Sequence, residues 1–63
     1  MPTDKIHTAT STATVLCAQI QDANAEAVHS NPLAAIMLLD LIVQAAQIAQ
    51  RLSEIAYALE RKS

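Results

Sequence analysis

Between Pro32 and Ala49 the chain reads PLAAIMLLDLIVQAAQIA, with only Asp40, Gln44 and Gln47 interrupting an apolar run. The surface helix of a self-sufficient monomer carries one apolar stripe and an opposite polar face. This run is apolar over about two-thirds of a helical circumference, so the sequence presents it as an assembly surface.

Just before it, His29, Ser30, Asn31 and Pro32 form the clearest break in the chain. Asn is a good N-cap, and Pro at the first helical position has its φ already set while forcing the preceding residue out of helical geometry. A second helix is therefore expected from Pro32 to about Arg61, roughly 45 Å long at 1.5 Å per residue. The turn is expected at 29–31, and a connection that short joins antiparallel neighbours.

Helix 1 is expected from about Asp4 to His29. Its beginning, MPTDKIHTATSTAT, holds five threonines and a serine, which compete with helix formation without forbidding it. Against disorder there, Ile6, Ala9, Ala13, Leu16, Ile20, Ala23 and Ala27 follow one another at steps of three and four, a single seam running into the rest of the helix. Thr3 and Asp4 suit a helix start. Gln19, Asp22 and Glu26 mark the outer face, and His29 suits the dipole at the helix end.

Helix 2 has a matching seam in Ala34, Leu38, Leu41, Ala45, Ile48, Leu52, Ile55 and Leu59, the period of a coiled coil. Asp40, Gln47, Glu54 and Arg61 recur every seven residues on its polar side. A turn at Asn31 sets Ile20 opposite Ile42, Leu16 opposite Ala46 and Ile6 opposite Ala56. The fold class is thus all-α: a two-helix antiparallel hairpin, expected to dimerise into a four-helix bundle. It forms a single domain over 1–63.

Composition supports this reading. A chain of 63 residues rarely buries enough core to be stable without disulfides, metal or self-association. Hydrophobic residues make up 52% of it and aromatics 2%, so the apolar content is almost entirely Ala, Leu, Ile and Val, the set that packs between helices. Gly is absent, which removes most tight hairpins and phosphate-cradling loops. The net charge is −2 and the four basic residues are scattered, so nucleic acid is not expected as a partner. The lone Cys17 and the lack of a basic-then-apolar leader point to a reducing cytoplasmic setting. No membrane span is expected, because Asp40 and two glutamines break a run that would need about 20 nearly continuous apolar residues.

No catalytic, metal or cofactor site is expected. Cys17 lies ten and twelve positions from His7 and His29, roughly 15 and 18 Å along a helix, out of hydrogen-bond reach. It reads as a buried small apolar residue. Glu26-x-x-His29 has the spacing of a ligand pair in di-metal bundles, but it sits at the loop end, and its nearest carboxylate on helix 2, Asp40, is on the polar face. Asp40 belongs to the solvent strip, with register-setting in an assembly as its sharper alternative.

The residues left over for contact are Ile36, Met37, Leu39 and Val43, with Leu52, Ile55 and Leu59 nearer the C-terminus. Fully burying each of Ile36, Leu39 and Val43 is worth about 1.5 to 3 kcal/mol, which together rivals the whole stability of so small a domain. The expected function is non-enzymatic: a homo-oligomeric adaptor, regulator or chaperone-like subunit acting through protein–protein contact with itself or another protein. A structural subunit of a filament or larger assembly is the alternative, and a di-metal four-helix-bundle protein a remote one. The Thr/Ser-rich start, the Asn-Pro turn and the two helices resemble type III secretion needle subunits, helical hairpins that polymerise. This chain is shorter and shares no distinctive motif with them, so no residue role is carried over.

Overall fold

The computed structural model describes residues 3–62, which form two α-helices, α1 (Asp4–Ser30) and α2 (Pro32–Lys62), packed along each other as a hairpin. Among the described residues there is no strand. The result is a ribbon with Cα extents of 50 × 14 × 9 Å. It is one layer of helices, with two broad faces.

Asn31 alone makes the turn, serving both helices. Held extended (φ −153°, ψ 90°), as a residue before proline must be, it donates its backbone N–H to Ala27 O at 2.7 Å and closes α1. Its side-chain Oδ1 accepts from Ala34 N at 3.1 Å and its carbonyl from Ala35 N, opening α2 behind Pro32. The turn expected at 29–31 is therefore shorter, since His29 and Ser30 continue the helix. Nor does Thr3 cap α1 through its side chain; its carbonyl accepts from His7 N at 2.9 Å, and the residue is buried.

The threonines at the start of α1 are accommodated by hydrogen-bonding back along the helix. The hydroxyls of Thr8, Thr10, Thr12 and Thr14 donate to the carbonyls of Asp4, Ile6, Thr8 and Thr10 at 2.9 to 3.0 Å. Satisfied in this way, they stop competing for the N–H groups the helix needs.

The seam differs from the sequence expectation by one position in each helix. In α1 the less exposed residues are Thr3, Ile6, Thr10, Ala13, Cys17, Ile20, Asn24 and Ala27, with Ala9 beside them. Thr10, Cys17 and Asn24 thus replace Leu16 and Ala23, which are exposed. In α2 the inner line is Ala35, Leu38, Ile42, Ala45, Ala49, Leu52 and Ala56, with Ala34 beside it; Leu41, Ile48 and Ile55 lie outside, and Leu59, at the end of the line, is exposed. Both lines still alternate steps of three and four. Ile6 and Ile20 share the interior with Ile42 and Ala56 as expected, but Leu16 and Ala46 are exposed.

Side-chain size explains the rotation. Among the described residues the apolar residues of the core are four alanines, Ala13, Ala35, Ala45 and Ala56, and no large side chain is fully buried. Alanines on the contact line let the helices approach, while bulky neighbours lean out along the flanks. The polar seam residues use the exposed backbone oxygens of the other helix: Asn24 Nδ2 donates to Ala35 O at 2.6 Å, and Cys17 Sγ to Ile42 O at 3.7 Å.

Two consequences are measurable by denaturation monitored by circular dichroism. Asn31→Ala removes the cap and is expected to lower stability by about 1 kcal/mol. Ala45→Leu overfills the line of closest contact and is expected to cost about 1 to 3 kcal/mol, whereas the same change at exposed Ala46 leaves the hairpin nearly unaffected.

Candidate functional site

The strict seam spacing fixes what lies on each broad face of the ribbon. At the open end His7 Nε2 and Glu60 Oε1 pair at 2.6 Å, marking one face. His7 directly follows seam residue Ile6, and Glu60 stands in the equivalent place after Leu59, four residues beyond Ala56. Residues at equivalent places in the seven-residue repeat share that face: Thr14, Gln21 and Val28 on α1, and Leu39, Ala46 and Ser53 on α2. Residues one place before the seam share the other face: Ala9, Leu16 and Ala23 on α1, and Leu41, Ile48 and Ile55 on α2. This second face is apolar along its length.

The side chains on that face remain about half exposed, Leu16 at 48%, Leu41 at 46%, Ile48 at 53% and Ile55 at 49%. Polar residues border it, with Lys5, Thr12, Gln19 and Glu26 along α1 and Gln44 and Arg51 along α2, all exposed. An apolar centre within a polar rim is the anatomy of a protein contact surface.

The contact residues expected from sequence divide between the two faces and the seam. Ile36 and Met37 are the most open, at 64% and 65%, and with Leu33 they crowd the turn end of α2. Leu39 and Val43 are also open, on the side marked by His7 and Glu60. Leu52 is half-buried within the seam, Leu59 is exposed at its end, and Ile55 lies on the continuous apolar face. Sequence reasoning assigned Leu16, Leu41 and Ile48 to the hairpin interior and so did not count them as available surface. Exposed Val15 and Val28 on α1 were missed as well.

Cys17 is a free thiol, half-buried in the seam rather than fully buried. His7 is engaged with Glu60, and His29 sits in the last turn of α1. Among the described residues no group of three His, Cys, Asp or Glu side chains could hold a metal ion, and Glu26 and His29 gain no third ligand. Asp40 is exposed in the single chain and accepts from Gln44 Nε2 at 2.8 Å. Arg61 lies over the Tyr57 ring, 5.6 Å from its centroid, within the same surface helix.

By length and composition the segment Pro32–Arg61 also qualifies to cross a bilayer, and little of it is buried against α1. No protein-family model, no curated protein and no solved structure matches the chain.

The His7–Glu60 pair is more than half exposed on both sides, so water and salt screen it. His7→Ala is expected to leave the urea midpoint of unfolding nearly unchanged.

Proposed function

We propose that this chain is a non-enzymatic helical module that works by protein–protein contact. It acts first with copies of itself, closing two hairpins into a four-helix bundle, in the manner of a small adaptor, regulator or chaperone-like subunit. The observation that carries this reading is the distribution of apolar groups. Among the described residues the buried apolar ones are alanines, while many large ones, among them Ile36, Met37, Leu39, Leu41, Val43, Ile48 and Ile55, are exposed. Burial of apolar area is the main favourable term in folding, and a hairpin that leaves most of its leucines and isoleucines outside has left much of that term unused. A second helical layer supplies it. A closed twofold pair is the simplest arrangement that does so without leaving an open end.

The apolar surface at the turn end of α2 supports a second form of the same reading. Leu33, Ile36 and Met37 lie away from the centre of the ribbon, and joined head to tail they would build a filament or larger assembly rather than a closed pair.

Size-exclusion chromatography with light scattering, run over a concentration series without detergent, separates these outcomes. A concentration-independent dimer mass is expected. Growth with concentration favours the filament. A well-behaved monomer at micromolar concentration, or recovery from membranes only with detergent, overturns the soluble-assembly reading, the latter in favour of α2 lying in lipid.

A further inference from the structure

We propose that the second copy docks on the face formed by Leu16, Leu41, Ile48 and Ile55, and that it lies antiparallel, with α1 against the partner copy's α1 and Lys5 beside the partner copy's Glu26. This rests on the self-assembly reading above and names the surface and orientation that carry it.

Three observations select this face and this partner. The first is continuity. The patch draws on both helices along most of the ribbon, whereas the opposite face is apolar at the turn end and closes at the other end with the polar His7–Glu60 pair. The second is area. The chain exposes 4880 Å², against about 3,900 Å² for a folded monomer of 6.7 kDa. The surplus of about 1,000 Å² compares with the roughly 800 Å² that each partner contributes to a standard stable interface. One further hairpin laid on one broad face suffices to remove it.

The third is charge. The α1 rim of the face carries Lys5 near its start and Glu26 near its end, with Thr12 and Gln19 between them. A twofold axis across the ribbon, passing near Leu16 and between Leu41 and Ile48, brings Lys5 to the partner copy's Glu26 and Thr12 to its Gln19. It also places Leu41 near the partner copy's Ile48. Both copies then offer the same patch, as an isologous contact requires, and no like charges meet across it. A twofold axis along the ribbon would instead set α1 against the partner copy's α2. The Asn24–Ala35 and Cys17–Ile42 bonds fix which residues lie at equal height in the hairpin, so that arrangement puts Glu26 near Leu33 and Lys5 near Glu54, with Arg51 within a turn of it. It leaves Glu26 facing an apolar group and Lys5 between charges of both signs, whereas the crosswise orientation pairs both charges and is therefore favoured. Rim charges of this kind set orientation more than affinity.

Sedimentation equilibrium at low salt, with helicity checked by circular dichroism, tests the proposal on the full chain. Ile48→Glu places a charge at the centre of the contact and is expected to weaken the dimer by about 100-fold or more, while Val43→Glu on the other face changes it by less than about 3-fold. Lys5→Glu and Glu26→Lys each put like charges together at two symmetry-related places. Each is expected to weaken the dimer by about 5-fold, with the double exchange restoring it, and the effect should fade as salt is raised. These rim variants are exposed and leave the hairpin intact, so they decide the orientation even if Ile48→Glu unfolds the chain. A dimer broken by Val43→Glu but not by Ile48→Glu overturns the choice of face. Single exchanges without rescue in the double overturn the orientation. A wild-type monomer would instead sink the underlying assembly reading.

Discussion

Two helices laid side by side share a line of contact and enclose no interior. Every side chain on either helix is therefore on the contact line, on its flanks, or in water. Here its most deeply buried apolar positions are alanines, the side chains that let the helices come close: Ala13, Ala35, Ala45 and Ala56 are buried, and among the described residues no large one is fully covered. Close approach fixes the hairpin geometry, but burying a methyl group gains far less than burying an isobutyl group. The same choice that makes the contact tight displaces Leu16, Leu41, Ile48 and Ile55 onto a broad face, where they remain about half exposed. The apolar surface available for assembly follows directly from the small residues at the seam.

Polar groups on the contact line add direction to a seam of alanines that would otherwise tolerate sliding. Thr10 satisfies its hydroxyl on Ile6 O within its own helix and costs little where it sits. Asn24 and Cys17 reach instead to carbonyls of α2, at Ala35 and Ile42. The bond from Asn24 ties α1 to α2 near the turn, and His7–Glu60 joins them near the open end. A polar group at an otherwise apolar contact favours the register in which its partner is present, because in any other it is left without one. Asn31 performs the corresponding task in the chain direction, ending one helix with its N–H and starting the next with its side chain.

Much of this architecture was legible in the residues themselves. Asn-Pro is a local stop and start signal whose effect depends on φ restriction and capping, both independent of tertiary context. Steps of three and four in apolar residues demand helices, and 63 residues joined at one break allow only a pair. The threonine-rich start was harder to assess, since propensity argues against helix there. The bonds from Thr8, Thr10, Thr12 and Thr14 to carbonyls four residues back show how the helix absorbs them. The candidate surface was legible only as an excess. Sequence located leftover apolar groups at Ile36, Leu39 and Val43, but it assigned Leu41 and Ile48 to the interior.

That division has a physical cause. By itself the sequence determined two long helices, the place of the turn, and an apolar arc on α2 too wide for one neighbour to cover. The spacing of that arc fits two adjacent seams equally well, one through Leu41, Ile48 and Ile55 and one through Ile42, Ala49 and Ala56. Periodicity cannot choose between them, because both repeat every seven residues. Only the two helices brought together could decide. At close range side-chain size matters as much as hydrophobicity, so the alanines, with Cys17 and Asn24 bonded across, take the inside. Leu16, Leu41, Ile48 and Ile55 are turned outward onto one continuous face.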